Sequence, residues 1–294
     1  MRRSRSPFLA SALVFALLGC GSDSTAGPPN DDASYVLAYT MESDTACSFV
    51  KAKVDGTNRP LTSTCGVGVT WSPDGRRLAF GKAPVDNPTL WIVNADGSGE
   101  RAVPNGAGLG HPDWSPDGTR IAATDQATAT FAILRPDGTQ RVDFPGTFPG
   151  GTGRPSWSRN GSALLFTTAD TIRAIDVSTQ VITNVAVPSA HFVFAPRWSP
   201  DGTRIAFVAR TDRFNGIYVV NADGSNEHLI VDGFIQSEAV WSPDGQKVVY
   251  AAAITGGLPI DIYIASSDGT GTPQNLTNNA SSHFSLRPDW ARMR

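Results

Sequence analysis

Short apolar runs, punctuated by glycine and proline, govern this chain from residue 35 onward. Leu78–Phe80, Ile121–Ala123, Leu164–Phe166, Ile205–Val208 and Val248–Tyr250 are rich in aliphatic and aromatic side chains. Alternation and β-branched residues predict strands, and the frequent turn residues leave no room for long helices. Each run stands behind the same reversal. Trp71-Ser-Pro-Asp-Gly75 recurs as Trp114–Gly118, Trp198–Gly202 and Trp241–Gly245, with a worn copy at Trp157-Ser-Arg-Asn-Gly161. Proline holds φ near about −65° at the second turn position, and glycine accepts the left-handed geometry that closes the hairpin.

A second signal runs in phase with the first. The tryptophans are spaced 43, 43, 41 and 43 residues apart, then 49 to Trp290. Asp96-Gly97, Asp137-Gly138, Asp223-Gly224 and Asp268-Gly269 follow their tryptophans by 25, 23, 25 and 27 residues, and Asp176-Val177 stands in that place in the worn repeat. Each unit therefore reads as four short strands, which is the sequence signature of a β-propeller blade. Five whole blades are expected near residues 66–104, 109–144, 152–187, 193–231 and 236–277. Tyr35–Ser63 has three strands but no opening Trp strand, while Leu286-Arg-Pro-Asp-Trp290 has only the opening strand. Together they make a sixth, composite blade, and pairing of first and last strands would protect the edges of an open sheet.

The Trp-Ser-Pro-Asp-Gly repeats, with Asn-Ala-Asp-Gly-Ser at 94–98 and 221–225, resemble the TolB-type family of WD40-like propellers over residues 35–290. The resemblance implies an all-β fold: a six-bladed β-propeller with four antiparallel strands per blade, closed by N- and C-terminal strands sharing one blade. It also implies contact with proteins of a bacterial cell envelope. Trp71, Trp114, Trp157, Trp198, Trp241 and Trp290 are then structural anchors between blades.

Charge and the first residues refine the picture. Only 17% of the 294 residues are charged and the net charge is −3, which excludes a disordered polyelectrolyte or a basic nucleic-acid binder. Arg2, Arg3 and Arg5 precede the apolar run Phe8–Leu18, which reads as an export signal too short to span a bilayer. Leu17-Leu18-Gly19-Cys20 resembles the lipobox of bacterial lipoproteins. That resemblance implies a signal peptide at 1–19, a lipid on Cys20, a flexible tether at 20–34 and the propeller at 35–290. Gly21 and Ser22 after the cysteine, with no aspartate, imply the outer membrane, the side of it left open. Cys47 and Cys65 flank the turn Asp55-Gly56-Thr57-Asn58, so a hairpin there would set them opposite each other. A disulfide is expected of an exported protein; two buried free thiols are the alternative.

No familiar chemistry is encoded. The chain has no Gly-x-Ser-x-Gly elbow, no His-Glu-x-x-His, no Cys-x-x-Cys and no phosphate-binding Gly-Lys-Ser/Thr loop. His111, His191 and His283 precede their tryptophans by three, seven and seven residues, on alternate blades, so they would surround an opening instead of clustering. They read as ordinary loop histidines and no metal is expected; His228 belongs to an outer strand. Positions three and one before each tryptophan are the better binding candidates: Gly68/Thr70, His111/Asp113, Arg154/Ser156, Ala195/Arg197, Glu238/Val240 and Arg287/Asp289. Within that set His111, Asp113, Arg154, Arg197, Glu238, Arg287 and Asp289 form the expected channel rim, a polar and wet funnel of both charge signs, read first as mutual ion pairing around channel water and otherwise as a ligand site. The expectation is a non-enzymatic, monomeric scaffold that takes no cofactor and binds an envelope protein, peptide or glycan. A lyase or hydrolase acting on a sugar polymer at the channel mouth is the alternative.

Overall fold

The structure is a computed structural model that describes residues 37–43, 47–55, 57–62, 66–82, 84, 87–144, 154–168, 170–188, 192–210, 215–253, 259–279 and 283–291. All of them belong to one compact unit, Asp32–Arg294. The expected signal peptide and tether, with Cys20, Cys65 and His191, lie outside the described residues. Cys47 is disulfide-bonded.

The described secondary structure is all β. Strands β1 (Leu37–Ser43), β2 (Cys47–Ala52) and β3 (Asn58–Thr62) open the chain. Then come β4 (Gly66–Trp71), β5 (Arg77–Lys82), β6 (Thr89–Asn94) and β7 (Arg101–Ala107). The next unit holds β8 (Leu109–Trp114), β9 (Ile121–Asp125), β10 (Thr130–Leu134) and β11 (Val142–Asp143). The worn repeat supplies β12 (Ser156–Trp157), β13 (Ala163–Thr168), β14 (Thr171–Asp176) and β15 (Ile182–Ala186). After it stand β16 (Val193–Trp198), β17 (Arg204–Arg210), β18 (Asn215–Asn221) and β19 (His228–Ile235). The chain ends with β20 (Val240–Trp241), β21 (Lys247–Ala253), β22 (Ile260–Ser266), β23 (Gln274–Asn275) and β24 (His283–Trp290).

Units β4–β7, β8–β11 and β12–β15 are separate four-stranded antiparallel sheets. The remaining strands form one twelve-stranded sheet that does not close on itself. In it β24 pairs antiparallel with β1, setting Leu37 opposite Trp290 and Met41 opposite Ser285. The order β24-β1-β2-β3 thus completes the strand set that the first three strands lack. Strand β19 runs past Val231, where the sequence led us to end it. It bulges at Gly233 and goes on to pair Phe234 with Ala253 and Ile235 with Ala252 of β21. The opening strands touch in sequence, β4 with β8, β8 with β12, β12 with β16, β16 with β20, β20 with β24, and β24 with β4.

Each reversal is built from its own side chains. Ser72 Oγ accepts from Arg77 N at 2.9 Å and donates to Asp74 Oδ1 at 2.5 Å, while Gly75 N donates to Ser72 O at 2.8 Å. The worn copy keeps this wiring because Asn160 Oδ1 accepts from Ser158 Oγ at 2.8 Å in place of an aspartate. At the Asp-Gly turns, Asp96 Oδ1 accepts from Ser98 N and Asp137 Oδ1 from Thr139 N, both at 2.9 Å. These turns also cover the outer strand of the preceding unit. Gly138 has φ of 83°, and a Cβ there would collide with the Pro104 carbonyl of β7. Exposed sheet edges are shielded in this way.

Apolar side chains from neighbouring sheets fill the space between them. Leu90, Ile92 and Val103 pack with Leu109, Trp114 and Ile121 of the following unit. Trp71, Trp114, Trp157 and Trp241 are buried, each removing about 200 Å² from water. Trp198 and Trp290 are partly buried. A cation caps several of these indoles from the preceding unit. The Arg77, Arg120 and Arg204 guanidinium carbons lie 4.9, 4.8 and 4.7 Å from the ring centroids of Trp114, Trp157 and Trp241. Each arginine stands six residues after its own repeat's tryptophan.

Candidate functional site

The opening strands β4, β8, β12, β16, β20 and β24 all contribute to the walls of one small central cavity. Their local geometry turns on the position three before each tryptophan. Gly68, His111, Ala195 and Arg287 have φ of 65°, 48°, 53° and 52°. Pairing registers shift at those points, between Val67 and Val69, Gly110 and Asp113, and Phe194 and Arg197. In β24 the shift falls between Leu286 and Asp289, opposite Thr40 and Ala38. A left-handed residue in a bulge re-aims the side chains that follow it. Gly68 also sits so close to β8 that a Cβ would lie 3.0 Å from His111 Cα. The other two positions, Arg154 and Glu238, precede the two-residue strands β12 and β20, and their side chains meet at 3.5 Å.

Five of the seven candidate residues form one buried network. Arg154 Nη2 donates to Asp289 Oδ1 at 2.9 Å and to Asp113 Oδ1 at 3.2 Å. Arg197 Nη2 donates to Glu238 Oε1 at 3.4 Å, and Arg197 Nη1 donates to Pro155 O at 2.7 Å. The second carboxylate oxygens brace the backbone. Asp289 Oδ2 accepts from Trp71 N at 2.7 Å, and Asp113 Oδ2 accepts from Trp157 N at 3.1 Å. Ser156 Oγ accepts from Trp198 N at 3.2 Å. The residue just before a tryptophan therefore caps the tryptophan amide of the next unit, in three of the repeats.

Charge is nearly balanced here. Two guanidiniums face three carboxylates, and Arg287 is a further cation close to His111. Burial opposes ionisation of Glu238, yet Arg197 and Arg154 bring its carboxyl down to about 2. Burial likewise works against the charge on Arg154, and Asp289, Asp113 and Glu238 more than offset it. Arg197 is lowered to about 10 by burial and by Arg154. His111 is lowered to about 4, first by burial and then by Arg287.

These central residues pair with one another. Arg154 is 4% and Arg197 5% exposed, and their ion pairs close on one another around a small chamber. The cavity beside them measures about 30 Å³, room for one or two waters. Trp157 Nε1 and Trp241 Nε1 donate to Asp113 O and Arg197 O, both at 3.0 Å. Trp71 Nε1, Trp114 Nε1, Trp198 Nε1, Arg154 Nε and Arg197 Nε have no acceptor among the described residues, and all five residues line the cavity. A chamber with this many donors is fit for ordered water.

The histidines separate. His111 lies within β8, not in a loop, and His283 is the first residue of β24. His228 is on β19, with its Nδ1 3.0 Å from Asn226 O. Among the described residues no three His, Cys, Asp or Glu side chains gather as a metal site. Sequence reading missed the amide-capping role of Asp113, Ser156 and Asp289; polar residues recurring just before the tryptophan were the available signal.

The fold is similar to that of TolB β-propellers. Residues 154–292 match the family described as the TolB beta propeller domain. The solved TolB of Acinetobacter baumannii superposes with a TM-score of 0.77 at 19% identity, covering 88% of this chain and 67% of TolB. An oligogalacturonate lyase in complex with manganese gives a TM-score of 0.53 at 16% identity, over 82% of this chain and 72% of the lyase. Dipeptidyl-peptidase 5 of Porphyromonas endodontalis is 27% identical over 249 residues, 76% of this chain and 35% of the peptidase. The Tol-Pal system protein TolB of Alcanivorax borkumensis is 38% identical over 69 residues, 23% of this chain and 15% of TolB. The chain thus spans about a third or less of the length of these two curated relatives.

Proposed function

We propose that this chain is a non-enzymatic binding scaffold of a bacterial cell envelope, lipid-anchored through Cys20, whose six-bladed ring is closed by β24 against β1. The ring reading is supported by the cyclic contacts of the opening strands and by the β24-β1 pairing. One observation carries the binding role: the central charges neutralise each other and leave about 30 Å³. A protein or peptide partner would therefore meet the loop faces and not thread the centre. Envelope residence is supported by the export signal and by the relative named for the Tol-Pal system.

Crosslinking in intact cells, followed by mass spectrometry of the affinity-purified chain, tests the role. A single recurrent envelope partner is expected, and its absence would sink the scaffold reading. Deleting residues 285–294 should lower the melting temperature sharply; an unchanged melt would sink closure by β24. Metabolic labelling with a fatty-acid probe should mark Cys20 and be lost in Cys20→Ser. Likeness to the manganese-bound lyase favours a second reading, a polysaccharide-cleaving propeller. Stoichiometric manganese that disappears in His111→Asn or His283→Asn, with turnover of oligogalacturonate, would establish it.

A further inference from the structure

The face of β18 and β19 that carries Tyr218 is only partly covered. Tyr218 stands opposite Leu229, and Gly216 opposite Asp232, so Tyr218, Leu229 and Asp232 project from one face with Gly216 as its floor. A Cβ at Gly216 would lie 2.8 Å from Leu229 Cδ1 and 2.9 Å from Tyr218 Cε2. Both side chains therefore lean over the glycine, towards the position that Asp232 flanks. Alternation along β19 adds Glu227, two residues before Leu229, to the same face. Phe207 stacks on Tyr218 at 5.6 Å, and the apolar cluster beneath takes in Val185 and Ala186 of β15. The inner end of this face is thus packed, while Leu229 is 44% exposed and Asp232 is exposed beside it.

No basic residue of these strands answers the carboxylates. The sequence has no lysine or arginine in residues 174–196 or 214–246, which hold all of β15, β18 and β19. Arg210 of β17 lies opposite Asn215 and so projects from the other face. Asp232 makes no ion pair among the described residues. Burial raises the pKa of Tyr218, and Asp232 and Glu227 raise it further, as their place on its side of the sheet requires. An exposed apolar side chain between two carboxylates complements a segment that presents basic, apolar and basic side chains in turn. The stems of long cations pack on apolar surface while their heads pair with carboxylates.

We propose that this face of β19 docks an extended basic segment of a partner protein, with an arginine paired to Asp232 and an apolar residue seated on Leu229. The surface is separate from the central network and stands whether or not the loop faces bind anything. An NMR shift titration of the isotope-labelled full chain tests it. The probes are acetyl-Arg-Ser-Leu-Ser-Arg amide and the same peptide with glutamine in place of arginine. The basic peptide should bind about five-fold more tightly and shift the amides of Leu229 and Asp232. Asp232→Asn, at an exposed position, should keep the wild-type melt and cut that preference to about two-fold; Leu229→Ser should weaken both peptides. No binding of either peptide, equal binding of the two, shifts confined to other strands, or a preference unchanged in Asp232→Asn would overturn the proposal.

Discussion

Arg154 and Asp289 meet at 2.9 Å although 135 residues separate them. The pair joins the worn repeat to the last strand, and Asp289 in turn holds the amide of Trp71 at 2.7 Å. Removing one partner of a buried pair leaves the other charge uncompensated, which costs about 3–5 kcal/mol. Arg154→Met should therefore lower unfolding free energy by that amount, because Asp113 and Glu238 lose a cation with Asp289. Arg154→Met combined with Asp289→Asn should cost less than the sum of the two single changes, by about 1–3 kcal/mol in a double-mutant cycle. Additive effects in urea denaturation would show that the contact carries no coupling.

Arg204 presents a different kind of bridge. Its guanidinium lies 4.7 Å from the Trp241 ring, and Nη2 donates to Gly245 O at 2.7 Å. Stacking and hydrogen bonding act on the same neighbouring turn, so Arg204→Ala should destabilise by about 1–2 kcal/mol. Lysine offers a point charge and no planar face, and Arg204→Lys should recover less than half of the loss. Urea midpoints of the two variants check this; full rescue by lysine would mean that charge alone matters.

The contrast between Arg204 and Arg154 also shows what a sequence reveals. The repeats are local devices: Ser72, Asp74 and Gly75 build a reversal from neighbouring residues, and local wiring is legible as a motif. Asn160 in place of Asp preserved the turn, so the worn copy could be recognised. The central residues were legible as positions, because they keep a fixed offset from the tryptophans. The mixed charge signs at those positions also pointed to ion pairing. The partners were not legible, since the three carboxylates that Arg154 meets come from segments about 40 to 135 residues away. Gly233 was equally silent, since a single glycine in a strand does not reveal that the strand changes partners there.

Asp261 is 2% exposed and organises the segment that precedes the last strand. Its Oδ1 accepts from Thr277 Oγ1 at 2.6 Å and from Asn279 N at 2.7 Å, and its Oδ2 from Asn275 Nδ2 at 2.8 Å. Asn279 then reaches Ser285 Oγ in β24 at 3.0 Å. Asp261→Ala should orphan three donors and cost about 2–4 kcal/mol. The loss should appear as faster hydrogen exchange at the Asn279 amide before global unfolding. Unchanged protection there would mean that the segment is held by other contacts.

His111 gives the fold a distinct acid response. Its pKa is about 4 in the folded chain against 6.5 ordinarily, because burial and Arg287 disfavour the proton. As pH falls through 6.5 the unfolded chain takes up a proton that the folded chain refuses, so stability declines between about pH 6.5 and 4. Glu238 acts lower and for the opposite reason. Its pKa is about 2 against 4.5, so its stabilisation is present above 4.5 and is lost as pH falls from there towards 2. His111→Asn keeps a residue that tolerates the left-handed backbone at φ of 48°. In urea titrations from pH 8 to pH 3, measured about every half unit, this variant should lose most of the slope between 6.5 and 4.5. The steep loss below pH 4.5 should remain, since the carboxylates that cause it are untouched. A variant whose stability still falls as steeply above pH 4.5 would show that His111 is not the group refusing the proton.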